Sequence, residues 1–175
     1  MCGVLFFVFW GDILRKFEKI SFEQFCKDVG NNQRMYDEIK LPKRSTKYSA
    51  GYDFYALDDY VLEPGERKKI PLGLKVMMNP DEGMMLLVRS SLGFNHNIRL
   101  CNQVGLFDCD YYNNPDNEGH MWASIQNEGD TVFHLKKGEH FVQGVFFQYL
   151  TIDDEEEIYN ERTGGIGSTT DKGDE

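Results

Sequence analysis

Apolar residues are spaced in two different ways along this chain, and the change falls near residue 40. Before it, Ile13, Phe17, Ile20 and Phe25 recur at near-helical intervals, which predicts helix within residues 12–38. Ser21 followed by Gln24 makes a capping-box pattern just before Phe25, so a second helix start is expected there. Lys40 to Lys47 is a basic connector containing Pro42. From Ala50 onward, short apolar segments alternate with turn signals such as Glu63-Pro64-Gly65, Asn79-Pro80-Asp81, Asn127-Glu128-Gly129 and Lys137-Gly138. Leu72 to Met78, Met84 to Val88, Trp122 to Ile125 and Phe141 to Leu150 read as strands. Many short strands and few helices predict a β-sandwich, jelly roll or barrel.

The ends read differently from the body. Cys2 to Trp10 is an apolar run too short to span a bilayer, and it lacks the basic start and cleavage site of a signal peptide. It reads as a leader ahead of the folded chain. At the other end, Asp153 to Glu157 are five acids in a row, followed by the Gly-rich stretch Arg162 to Thr169. That pattern predicts a solvated tether carrying a flexible arm. The expected boundaries are therefore a leader and helical extension over 1–38, a β domain over 39–152, and a tether and arm over 153–175.

Charge narrows the classes of partner. The chain of 175 residues carries a formal net charge of −10. Residues 151–175 hold nine acids and two bases, so the remaining body is nearly neutral. Without a basic stripe, nucleic-acid binding is not expected. Nor is a membrane role. Cysteines at 2, 26, 101 and 109 form no C-x-x-C pair and no zinc spacing, which fits reduced thiols and a cytoplasmic location.

Candidate chemistry sits at five places. Arg89-Ser90-Ser91 ends an apolar strand with a guanidinium and two hydroxyls, a set suited to phosphate oxygens. In the stretch Asn102 to Tyr111, strand alternation would put Asp108 and Asp110 on one face beside Leu106 and Phe107. Carboxylates so placed can take a proton from water. Asp53 follows Gly51 at a strand start, and Gln143 interrupts an apolar strand with an amide that needs a partner. The glycines of Arg162 to Thr169 let backbone N–H groups converge on an anion, although no Walker-type lysine is present. Histidines 96, 120, 134 and 140 show no triad or ligand spacing and read as structural.

In their order along the chain, Ala50 to Ala56, Arg89 to Ser91, Asn102 to Tyr111, Gly138 to Gln143 and Arg162 to Thr169 resemble the five motifs of the trimeric dUTP pyrophosphatase family. The resemblance covers roughly residues 39–170. It implies a jelly-roll-like β subunit, a homotrimer with sites between subunits, and a C-terminal arm closing over a neighbour's nucleotide. It implies hydrolysis of dUTP to dUMP and pyrophosphate with Mg²⁺. By position, Asp108 matches the carboxylate that deprotonates the attacking water. Arg89, Ser90, Ser91 and Gln143 match phosphate contacts. Asn102, Gly105, Leu106, Phe107 and Trp122 match the uracil reader, and Tyr111 the ring packed on the deoxyribose. Arg162, Ile166, Gly167 and Ser168 match the closing arm. No direct protein ligand to Mg²⁺ is implied, with Asp53 reaching it through water. The sequence departs from the pattern at Ile166, where the family usually has Phe, at Ser91, where Gly is common, and in a longer turn over Asn113 to Glu118.

Two rivals share this scaffold. A dCTP deaminase needs a glutamate in the pocket strand, and Trp122 to Ile125 has none. A non-catalytic nucleotide-binding regulator would not need Asp108, Arg89 and Arg162 together.

Overall fold

The computed structural model describes residues 15–155 and 162–165. Strand β1 (Lys16–Lys19) opens it, followed by two short helices, α1 (Phe22–Asp28) and α2 (Gln33–Asp37). Strands β2 (Lys43–Arg44), β3 (Tyr52–Tyr55), β4 (Tyr60–Leu62), β5 (Arg67–Pro71), β6 (Leu74–Met77) and β7 (Glu82–Val88) come next. Helix α3 (Ser90–His96) then leads to β8 (Ile98–Leu100) and β9 (Gly105–Asp108). A single 3-10 turn, Cys109–Tyr111, precedes β10 (Trp122–Asn127), β11 (Phe133–Leu135) and β12 (His140–Gln148).

The strands form a five-stranded sheet in the order β2-β3-β12-β7-β9, a three-stranded sheet β5-β10-β8, and the pairs β1-β6 and β11-β4. Every pairing is antiparallel. Phe54, Met84, Leu86 and Phe141 from the large sheet meet Ile70, Ile98, Leu100 and Ile125 from the smaller one in a single buried core. This is the mainly-β, jelly-roll-like layering that the short alternating segments predict.

The four predicted strands are present as β6, β7, β10 and β12. Two local expectations are corrected. Lys16–Lys19 is not helical: it pairs with β6, with Phe17 opposite Val76. Phe17 packs among Tyr52, Phe54 and Phe146 at ring-centroid distances of 5.3 to 5.7 Å. Burial against a distant strand outweighs the helical spacing. Helix does begin at Ser21, whose hydroxyl accepts the Gln24 N–H at 3.0 Å. The reciprocal half of the box is absent, because the Gln24 amide donates to Asp28 at 3.0 Å and the Ser21 N–H to Glu118 at 2.9 Å. The second correction is at Arg89. The strand ends at Val88, and Arg89 to Ser91 open α3 instead of ending the strand, with Arg89 at the N-cap position. Asn97, in the left-handed region at φ 52°, ends that helix. The proposed leader, residues 1–14, lies outside the described residues.

On the outward face of the large sheet, register sets Val145 beside Met85 and Leu106, and Phe147 beside Gly83 and Asp108. Gln143, Leu87 and Asp53 continue that face at its other end. Leu106 is exposed, and Met85, Leu87, Val145 and Phe147 are only half-buried.

Candidate active site

Beyond β8 the chain turns through Gln103, in the left-handed region at φ 61°, and enters β9 at Gly105. Strand β9 is the edge of its sheet, paired only with β7. One row of its backbone N–H and C=O groups is therefore free of ladder bonds and faces a cleft of about 540 Å³. Asn102, Gly105, Leu106, Phe107, Asp108, Tyr111, Trp122 and Arg162 all line that cleft. The sequence reading took Asn102 to Tyr111 as one stretch and drew Trp122 and Arg162 from others; the fold places them around one cavity.

Two aromatic walls give the cleft its shape. Tyr111 is 6% exposed and packs on Phe107 with centroids 5.6 Å apart. Its hydroxyl donates to the His120 carbonyl at 2.9 Å and accepts from the Asn117 amide at 3.0 Å. Burial pushes the Tyr111 phenol above its ordinary range. Trp122 lies between His120, 4.7 Å away by centroid, and the Lys69 ammonium, 4.4 Å from the ring. Alternation along β10 turns Trp122 and Ser124 outward and buries Ala123 and Ile125.

Asp108 ends β9 with its side chain 50% exposed. The expected same-strand pairing with Asp110 is corrected, because Asp110 lies in the 3-10 turn. The two carboxylates nevertheless converge on one cation. Arg162 donates from Nη2 to Asp108 at 2.6 Å and from Nε to Asp110 at 2.7 Å. In this single chain the arm segment Arg162 to Gly165 thus rests on the end of the chain's own β9 and the turn and loop that follow it. Gly165 fits there for lack of a side chain, since a Cβ would come within 2.8–2.9 Å of Asn117 and Tyr111. Ile166, Gly167 and Ser168 lie outside the described residues.

A second cavity, about 220 Å³, gathers Asp53, Arg89, Ser90, Ser91 and Gln143. Asp53 is 5% exposed and paired with Arg89 Nε at 3.2 Å. Gly51 leaves the space that the Gln143 amide occupies. Two further side chains reach the Asp53–Arg89 ion pair, Ser45 from the cavity lining and His140 from beside it. Ser45 donates to Asp53. His140 Nδ1 lies 3.1 Å from Arg89 Nη1 and 3.7 Å from Asp53. Ser45 arrives by tertiary pairing alone; His140 lies inside the Gly138 to Gln143 motif, but its place beside Asp53 comes from the pairing of β12 with β3.

The two cavities are apart within one chain. Gln143 lies opposite Leu87 and Asp108 opposite Gly83. Four residues along β7 and two strand spacings across it separate their Cα atoms by about 17 Å.

No group of three or more His, Cys, Asp or Glu among the described residues is arranged to hold a metal ion. Asp53 is engaged by Arg89 and Ser45, and Asp108 and Asp110 by Arg162. Such a donor set fits a hard cation that arrives on a polyphosphate and keeps its waters, not a protein-built cage. No glutamate lines the larger cleft among the described residues. No described helix is long and apolar enough to cross a membrane.

A strand edge facing a base-sized cleft, with a carboxylate at its rim and an anion pocket elsewhere on the sheet, marks a nucleotide-handling β protein. Comparison with known proteins sharpens this. The dUTPase family model matches residues 37–170. The deoxyuridine 5'-triphosphate nucleotidohydrolase of Lactococcus lactis is 49% identical over 132 residues, 75% of this chain and 88% of that protein. Its counterpart in Pseudomonas putida is 39% identical over 141 residues, 77% of this chain and 89% of that protein. The crystal structure of dUTPase from Streptococcus mutans superposes with a TM-score of 0.64 at 37% identity, covering 79% of this chain and 98% of that one. The chain belongs to the dUTPase family.

Proposed function

We propose that this enzyme hydrolyses dUTP to dUMP and pyrophosphate, with Asp108 as general base. A water oxygen attacks the α-phosphorus while Asp108 takes its proton. The bond from the α-phosphorus to the α–β bridging oxygen breaks, and pyrophosphate leaves with that electron pair. A general base so positioned contributes about 10²–10⁴-fold in rate. The observation that carries this reading is the convergence of a free strand edge, Tyr111, Trp122 and Asp108 on one cleft. Fixed backbone donors and acceptors from Gly105 to Asp108, with Asn102, suit the O2, N3–H and O4 of uracil. Cytosine presents a different order and would leave buried groups unpaired. Tyr111 packs on the deoxyribose and leaves no room for a 2′-hydroxyl.

The phosphates are read by Arg89, Ser90, Ser91 and Gln143, and these groups come from a second copy of the chain. Two features support that assignment. Gln143 and Asp108 lie about 17 Å apart by Cα, in two separate cavities of one chain. The half-buried apolar row of Met85, Leu87, Val145 and Phe147, running from one half-site to the other, suits burial against another subunit. A homotrimer completes three such sites. Arg162 brings a cation to the triphosphate, and Ile166, Gly167 and Ser168 close the arm over the nucleotide. Mg²⁺, held by the substrate's phosphates and reaching Asp53 through water, would neutralise charge on the leaving pyrophosphate. One of the dUTPase-fold neighbours, from phage phi11 of S. aureus, is described with a structural Mg(II) ion. Free Cys26, Cys101 and Cys109 suit a cytoplasmic enzyme.

The test is pyrophosphate release from dUTP and from the four ordinary deoxynucleoside triphosphates. Release from dUTP alone is expected, with no ammonia from dCTP. Ammonia from dCTP would replace this reading with a deaminase, and silence on every nucleotide would replace it with a binding protein.

A further inference from the structure

Residues 15–36 precede the region that the family model matches. They are nevertheless fastened to the loop that follows Tyr111. Ser21 gives its backbone N–H to Glu118 at 2.9 Å and its hydroxyl at 2.5 Å. The Tyr112 hydroxyl donates to Glu18. Lys75, on the strand paired with β1, donates to Asn113 at 2.6 Å and to Glu118 at 3.4 Å.

The deepest tie is between Asp28 and His120. His120 is 0% exposed. Its Nε2 accepts the Gly73 N–H at 3.0 Å, so the ring proton is on Nδ1, which faces the Asp28 carboxylate at 2.5 Å. The same residue's carbonyl holds the Tyr111 hydroxyl, and its ring packs on Trp122. One buried histidine therefore links the N-terminal segment to both aromatic walls of the cleft. Asn114 completes the bracing by donating to the Tyr111 carbonyl at 2.8 Å.

We infer that the N-terminal segment sets sugar selectivity, with Asp28, Ser21 and Glu118 as positioning residues that fix the Tyr111 ring through His120 and its loop. The inference rests on the reading of this cleft as the dUTP site. Excluding a 2′-hydroxyl is a steric task, and it requires a ring that cannot retreat. A ring held only by its own strand could shift by the fraction of an ångström that admits a ribose. The ties from α1 remove that freedom.

The experiment compares kcat/KM for dUTP and UTP in the wild-type chain and in Asp28→Ala, Glu118→Ala and Asp28→Glu. The dUTP:UTP ratio is expected to fall about 10-fold in the two alanine variants, and to recover in part in Asp28→Glu. Equal losses on both nucleotides, leaving the ratio at its wild-type value, overturn the inference, because the ties would then serve only folding. Should Asp28→Ala fail to fold, Glu118→Ala, at a half-buried loop position, decides the question. A wild-type chain inert toward dUTP would instead remove the reading of the cleft, and this inference with it.

Discussion

Around Tyr111 the cleft is walled by a strand edge and aromatic rings, whereas around Arg89 the smaller pocket is walled by a guanidinium, hydroxyls and a buried carboxylate. Under the proposed assignment of base and sugar to the cleft and of phosphates to the pocket, the two regions meet different demands. Reading a base and a sugar depends on shape, and the cleft's shape is fixed by ties from four separate segments: α1, the Gly73 turn, the loop after Tyr111 and β10. Holding phosphates depends on charge, and there the main constraint is one ion pair. Asp53 orients Arg89 and in turn depends on it. In the first region precision is distributed over many contacts from separate segments; in the second it is concentrated in one ion pair and its neighbours. Single substitutions should therefore act differently in each.

The sharpest break is at the reacting atoms. Asp108→Asn should fold and bind dUTP while kcat falls about 10³-fold, as read by single-turnover hydrolysis alongside nucleotide binding. Near-normal turnover would remove Asp108 as the base. Next comes the charged pocket. Arg89→Ala should lower kcat/KM about 10²-fold and also lower the melting temperature, because Asp53 loses its cation while buried. A melting temperature equal to wild type would mean that the ion pair does not hold the pocket. Deleting residues 161–175 should cost about 10-fold in kcat/KM, with assembly unchanged by size-exclusion chromatography, since the described part of the arm supplies Arg162 but joins none of the sheets.

The smallest effect belongs to the bracing of the cleft and depends on pH. Burial lowers the His120 pKa from its ordinary value, against the opposing pull of Asp28 and Glu118 and in line with the push of Lys69. Unfolded histidine titrates near ~6.5, so the unfolded chain takes up this proton first as pH falls. The contribution is thus complete above ~6.5 and declines as pH drops toward the folded value. Urea melts at about pH 7.5 and 5.5 should differ by about 1 kcal/mol more in the wild-type chain than in His120→Asn. Identical differences would show that His120 is not held neutral.

The same contrast explains what the sequence could reveal. Asn102, Gly105, Phe107, Asp108 and Tyr111 were legible because they lie in one short stretch, where neighbours in sequence are neighbours in space. Trp122 belongs to the strand just beyond. The Ser21 cap was legible for the same reason, as its partner is three residues away. Lys16–Lys19 was not, because its strand character comes from β6, more than fifty residues later. The places of Ser45 and His140 were hidden likewise, since only the pairing of β3 with its neighbours brings them to Asp53 and Arg89. Asp110 shows the opposite error. Strand alternation was extended past the point where the chain tightens into a 3-10 turn, although the carboxylate still reached Arg162.

Trp122, held between the His120 ring and the Lys69 ammonium, also makes the cleft optically addressable. The chain contains only two tryptophans, the other being Trp10. In a Trp10→Phe background the emission spectrum becomes a signal from this wall of the cleft alone. Pyrimidine entry, loop loosening and discrimination between sugars could then be followed in real time without a label.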